Sequence, residues 1–365
     1  MSPSALRHQV GQLLIAGFNG HQITPELRSL AREFGLGGVI LFARNIAEPE
    51  QVAEVAFEAG RLTPDLPPWV SVDQEGGRVA RLKAPFTEWP PMATLGRSGD
   101  VKLAERFAHA LAAELKAVGI TLDYAPVLDI HTNAKNPVIG DRALSEKAED
   151  VARLGGAIIR ALQGDGIAAC GKHFPGHGDT NTDSHHELPL VEHPPDRLRR
   201  VEFVPFKAAI EAGVATIMTA HVFVPSLDEQ RPASLSRHII TDLLRRELGY
   251  EGVILSDDLE MKAIAATYAV PEAAVQAIEA GCDGVLICSG DHATQAAALE
   301  ALVHAVEQER LPISRVEDAL LRQRRTRERF LTSAVAAKPA AGPKLRARLG
   351  GDQHQAIAHE MARFL

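Results

Sequence analysis

The feature that most constrains this chain is a recurrence: a helical stretch, a glycine, then a short apolar run. The stretch 101–118 repeats apolar residues at helical spacing (Leu103, Phe107, Leu111, Leu115) and stops at Gly119. The stretches 148–163, 205–212 and 272–280 stop in the same way at Gly164, Gly213 and Gly281. Glycine just past a helix suits the left-handed cap that ends many helices. The runs 13–18, 38–42, 69–73, 120–127, 167–173, 214–221, 252–257 and 284–288 are near-continuously apolar, as expected of parallel strands covered on both faces. Eight strands in this alternation predict a (β/α)8 TIM-type barrel in preference to an open doubly wound sheet. A barrel makes a sharp demand, because its functional groups sit at the C-terminal ends of strands. Asp73, Lys172-His173, His221 and Asp257 end their runs, and Asp129 lies two residues past another.

The barrel is expected over residues 1–331. The pattern changes beyond it, and 332–365 reads as a linker followed by a C-terminal helix. Positions 332–349 are rich in Ala, Pro, Lys and Arg, whereas 354–365 is amphipathic through Ile357, Met361 and Leu365. A net charge of −8 gives no support to a nucleic-acid or anionic-membrane partner. No apolar run approaches the ~18 residues of a membrane span, and no signal peptide is evident near Arg7 and His8. Three cysteines in a chain this long (Cys170, Cys282, Cys288) form no disulfide framework and fit a reducing compartment. The expectation is a cytoplasmic protein, a monomer or small homo-oligomer, with no cofactor.

Chemistry concentrates in Lys172-His173-Phe174-Pro175-Gly176-His177-Gly178-Asp179-Thr180-Asn181-Thr182-Asp183-Ser184-His185-His186. Pro175, Gly176 and Gly178 break regular structure, so this is a loop carried by a strand, a common setting for function. His173, His177, His185 and Asp179 are residue types that bind zinc. No His-Glu-x-x-His or His-x-His pair sits on a regular element here, so no metal site is predicted. Asp183, two residues from His185, can fix the tautomer and raise the basicity of that imidazole for acid/base work. In Ser256-Asp257-Asp258-Leu259-Glu260-Met261 a strand runs into two carboxylates; one suits a helix cap, and Asp257 is the better inward candidate. Asp73-Gln74-Glu75-Gly76-Gly77-Arg78-Val79-Ala80-Arg81 presents Asp73 beside a tight turn, with Arg81 able to return to the same place as a donor. Gly140-Asp141-Arg142 offers one more guanidinium for a hydroxyl or carbonyl.

Taken in order along the chain, these four motifs resemble the signature of glycoside hydrolase family 3, and within it the β-N-acetylglucosaminidase branch of bacterial cell-wall recycling. The resemblance spans about residues 5–330. It implies a retaining glycosidase in which Asp257 is the nucleophile, His185 the acid/base and Asp183 its partner, with Asp73, Arg81, Arg142, Lys172 and His173 binding the sugar. It further implies a small glycan substrate, a GlcNAc-containing muropeptide or disaccharide. An imidazole titrating near pH ~6.5 can give and take a proton at neutral pH, and Asp183 would favour the base step while restraining the acid step. Two alternatives accompany this reading. One is a phosphorylase on the same scaffold, since a neutral imidazole repels phosphate less than a carboxylate does. The other is a zinc-dependent hydrolase. The pair His186-Glu187 matches no motif.

Overall fold

The computed structural model describes residues 3–64, 66–331, 340 and 342–365. Ten strands occur among them: β1 (Leu14–Ala16), β2 (Gly38–Leu41), β3 (Trp69–Val72), β4 (Gln74–Gly76), β5 (Val79–Ala80), β6 (Leu122–Asp123), β7 (Ala168–Phe174), β8 (Thr216–Thr219), β9 (Val253–Asp258) and β10 (Gly284–Ile287). Eight of them close a parallel barrel in the order β1, β2, β3, β6, β7, β8, β9, β10. The last joins the first through Leu14↔Val285 and Ile15↔Leu286. Each expected run therefore supplies one barrel strand. The eight-stranded parallel barrel surrounded by helices is the TIM-type fold.

Period-two alternation divides each strand between two cores. Ile15, Ile40, Trp69, Leu122, Ala168, Cys170, Val253, Leu255 and Leu286 fill the barrel interior. Their neighbours Leu14, Val39, Val70, Ala169, Ile254 and Val285 pack against the surrounding helices. The helix Ile313–Leu331 plugs the N-terminal end of the barrel. Its Phe330 and Leu331 join the interior cluster, and the Phe330 ring lies 6.3 Å from that of Trp69. Gln323 there accepts from the Trp69 indole at 3.3 Å and donates to the Asp283 carbonyl at 3.1 Å. With the lower end filled, the upper end is left for ligand.

β6 is shorter than the run 120–127 because Pro126 has no N–H to give to a ladder. The chain stays extended alongside its neighbours nonetheless: Tyr124 N–H donates to Val72 and Leu128 N–H to Lys172. The segment after β3 is not a bare tight loop. β4 and β5 form an antiparallel hairpin across Gly76 and Gly77, whose φ angles of 115° and 56° favour glycine.

Of the expected linker, residues 332–339 and 341 lie outside the described residues. Within the rest, Pro343–Arg346 forms a helical turn that buries Leu345. The terminal helix is Asp352–Ala362, and it packs on the helix Val101–Ala117. Met361 is buried, whereas Leu365 lies past the helix end and is exposed, so the amphipathic face stops one turn earlier than its spacing suggests. Buried Glu114 anchors this extension, accepting from the Gly350 N–H and lying 2.8 Å from His354 Nδ1. No helix among the described residues is long and apolar enough to cross a membrane.

Candidate active site

The inward parity of two strands carries polar groups up from the apolar interior. On β9, Val253 and Leu255 face inward, and Asp257 continues that face. On β7, Ala168 and Cys170 face inward, and Lys172 continues it. The β9/β10 register shifts between Leu255 and Asp258, and the β7/β8 register between Gly171 and Phe174. Such irregularities re-aim side chains beside functional sites. The Lys172–His173 peptide bond is cis. A cavity of about 600 Å³ opens at this end of the barrel. Asp73, Arg81, Arg142, Lys172, His173, Asp183, His185 and Asp257 all line it, so the eight residues that the resemblance places in the sugar site meet in one place. Asp129 and His221 are buried, and Asp179 lies outside the lining.

One wall is an ion cluster. Lys172 Nζ lies 2.7 Å from Asp73 Oδ1 and 2.6 Å from Glu75 Oε1. Glu75 also receives Arg142 in a two-pronged contact of 2.9 and 2.8 Å. Arg81 lies 3.5 Å from Asp73 and 5.5 Å from the centre of the Phe42 ring. Burial opposes charge on Glu75, but Arg142 and Lys172 override it and hold the carboxyl well below its ordinary range. Burial likewise opposes the charge on Lys172, and Asp73 and Glu75 keep the ammonium protonated. Glu75 has a 1% exposed side chain and links the two cations, yet the sequence reading passed over it. Its signal was its place two residues past Asp73, on the same face of an extended segment. Arg142 is therefore a paired guanidinium on the cavity wall. Beneath the cluster, burial pushes the Asp123 carboxyl up to about 7.

A second wall is built of imidazoles. Buried Asp129 lies 2.6 Å from His173 Nδ1 and accepts from the His177 backbone N–H at 2.7 Å. His221 is fully buried, with Nδ1 2.7 Å from Ser234 Oγ and Nε2 2.9 Å from the Asp258 carbonyl. Burial pushes the Asp257 carboxyl up, but the fields of His221 and His173, the Asp258 N–H and Lys172 together hold it below its ordinary value. An ionised carboxylate is thus maintained in a desolvated place, the condition a carboxylate nucleophile needs. Asp258 has the other parity and caps locally, its Oδ1 accepting from Glu260 and Cys288 N–H. Burial pushes its carboxyl up to about 7.

The third component is the loop after β7. Its base is fixed: Asn136 donates to the His177 carbonyl, and Asn133 donates to the Thr180 carbonyl. Gly178 packs so closely that an added Cβ would lie 1.7 Å from the Ile130 carbonyl oxygen. Gly178→Ala should therefore displace the loop base, costing at least about 1–3 kcal/mol in urea unfolding together with a fall in turnover. An alanine variant equal to the parent in both measurements would show that this contact is slack. Further out, Asp183 Oδ1 accepts from the His185 N–H and lies 2.8 Å from His185 Nδ1. The His185 side chain is 64% exposed and that of Asp183 28%. The pair His186-Glu187, which matched no motif, closes the turn: both backbone N–H groups donate to the Asp183 carbonyl. The four residues weighed as zinc ligands have separate neighbours. His173 meets Asp129, His177 meets Thr180 and Ser184, His185 meets Asp183, and Asp179 meets His193.

A sequence model of the glycosyl hydrolase family 3 N-terminal domain matches residues 5–325. A β-hexosaminidase of Thiobacillus denitrificans is 41% identical over 260 residues, 70% of this chain and 72% of its own length. Another, of Pseudomonas aeruginosa, is 41% identical over 293 residues, 79% of this chain and 86% of its own. Among solved structures, a family 3 β-N-acetylglucosaminidase from Paenibacillus sp. str. FPU-7 is similar with a TM-score of 0.94 at 44% identity, covering 98% of this chain and 68% of that one. Native NagZ from Neisseria gonorrhoeae is similar with a TM-score of 0.77 at 32% identity, covering 96% and 97%.

Proposed function

The chain belongs to glycosyl hydrolase family 3 and is a glycosidase, and from that premise we propose that it is an exo-acting, retaining β-N-acetylglucosaminidase. The observation that carries this reading is the single cavity shared by an ionised Asp257, the Asp183–His185 pair and the Lys172–Asp73 cluster. The names of its relatives supply the sugar: a β-hexosaminidase in one comparison, a β-N-acetylglucosaminidase in the other.

In the first step Asp257 attacks the anomeric carbon as the bond to the leaving oxygen breaks, and His185 gives that oxygen a proton. In the second, His185 takes a proton from water, which attacks the same carbon and releases Asp257. Two displacements return the β configuration. Asp183, paired to Nδ1, directs Nε2 toward the bond being cut and stabilises the imidazolium. Asp73 accepts from sugar hydroxyls, while Arg81, Arg142, Lys172 and His173 donate to hydroxyls or to the acetamide carbonyl. We assign catalysis to residues 1–331; beyond them, the terminal helix Asp352–Ala362 packs on the helix Val101–Ala117 of the barrel. The substrates are GlcNAc-containing cell-wall fragments, met in the cytoplasm.

The test compares aryl β-N-acetylglucosaminide with aryl β-glucoside. A site that hydrogen-bonds the acetamide should favour the first in kcat/KM by on the order of 10²-fold or more. Equal rates would defeat the acetamide-specific reading. Running the reaction in phosphate should still yield free GlcNAc, and sugar 1-phosphate as the product would transfer the assignment to a phosphorylase.

A further inference from the structure

The catalytic loop has one buried residue between Asn181 and Leu188, and it is Ser184, which separates Asp183 from His185. A small polar side chain buried inside a loop whose other residues reach solvent calls for a partner. Ser184 Oγ lies 3.2 Å from His177 Nε2, and the Ser184 carbonyl accepts from the Ala263 N–H at 3.1 Å. Ala263 belongs to the short helix Lys262–Ala265, five residues beyond the end of β9. His177 is 2% exposed and sits on the rigid loop base.

The hydrogen bonds around His177 set its tautomer. Thr180 Oγ1 donates to the His177 carbonyl at 3.1 Å and accepts from Asn136 Nδ2 at 3.2 Å. His177 Nδ1, 2.8 Å from Thr180 Oγ1, is then the donor of that contact. Nε2 is left with a lone pair aimed at the Ser184 hydroxyl. Burial pushes the imidazole down to about 4, so the ring is neutral and able to accept at working pH.

We infer that Ser184 is a peg and that His177 with Ala263 is its socket, an anchor that holds the acid/base loop against the segment leaving the nucleophile strand. Neither Ser184 nor His177 touches the reacting atoms; both are positioning residues. Pinning the residue between Asp183 and His185 fixes where the dyad stands while leaving its side chains exposed for substrate. The Ala263 contact ties that position to the chain segment that carries Asp257. This inference rests on His185 being the acid/base, and the experiment separates the two ideas.

The experiment measures kcat/KM for two β-N-acetylglucosaminides, one with 2,4-dinitrophenolate as leaving group and one with a simple alcohol. The dinitrophenolate departs without a proton, so kcat/KM for that substrate ignores the acid, whereas the alcohol requires it. Ser184→Ala should lower kcat/KM for the alcohol glycoside on the order of 10- to 100-fold and barely change it for the dinitrophenyl glycoside. On the latter substrate kcat and KM should fall together, because the base step is also slowed and the glycosyl-enzyme accumulates. Ser184→Thr, which keeps the hydroxyl, should recover most of the loss. Loss of the hydroxyl's acceptor in His177→Phe should reproduce the selective effect. No loss on either substrate, or equal losses on both in a variant that keeps the parent's urea midpoint, would overturn the anchor. His185→Ala is the control. If it shows the selective loss and Ser184→Ala does not, the anchor fails alone. If it does not, the assignment of His185 fails and the anchor with it.

Discussion

Asp257→Gly should lower turnover on the order of 10⁴-fold or more, the scale expected when a covalent nucleophile is removed from a site that still binds. The side chain sits at the inward end of β9, held ionised despite burial. Removing it leaves a small space on the face of the sugar that the carboxylate would have attacked. Azide fits there and needs no general base. Adding it should restore turnover on an activated aryl β-N-acetylglucosaminide and yield the α-glycosyl azide, because one displacement inverts the anomeric carbon. The variant should keep its fold, since the barrel interior is packed by Val253, Leu255 and their neighbours below Asp257. Full activity in Asp257→Gly would remove this residue from the chemistry.

Glu75→Gln should be the most damaging substitution to stability. The native carboxylate balances Lys172 and Arg142, whose side chains are 2% and 10% exposed. The amide has nearly the same shape but no charge, and it leaves more buried positive charge than Asp73 alone can compensate. Breaking a buried pair in this way costs about 3–5 kcal/mol, read as a lower urea midpoint with little change in slope. The sign of the pH dependence follows from the direction of the shift. Glu75 is held below its ordinary 4.5, so its contribution is fully present above that pH and is lost as the pH falls through the lowered value. The gap between parent and variant should therefore be constant at neutral pH, begin to narrow as the pH falls below 4.5, and keep narrowing down to the lowered value. KM should rise as well, because Lys172 is then held by Asp73 alone. A variant that unfolds with the parent and binds sugar normally would show that the cluster is not the support described here.

The barrel was legible because strands covered on both faces leave unbroken apolar runs, and because each preceding helix ends at a glycine. The run 120–127 read too long, since apolar character does not reveal that Pro126 interrupts the ladder. The β4–β5 hairpin was hidden by its brevity and by its polar residues. Leu365 fitted the helical spacing but falls beyond the last turn. In the site, parity along β7 and β9 was enough to bring Lys172 and Asp257 into one cavity. Glu75 was harder to see, because its partner Arg142 lies 67 positions away and nothing local marks a carboxylate as buried. His177 was legible only as a residue type that binds zinc. Its contact with Ser184 spans seven residues of irregular loop, where no periodicity predicts which side chains turn inward.

The covalent link between Asp257 and the sugar is the point on which the account depends. It can be trapped with a GlcNAc derivative that carries an activated leaving group and a ring fluorine, which slows the second displacement more than the first. Intact-protein mass spectrometry followed by peptide mapping should find one sugar per chain, on the peptide containing Asp257. An adduct on another residue, or steady turnover to the α-configured sugar with no adduct, would contradict it.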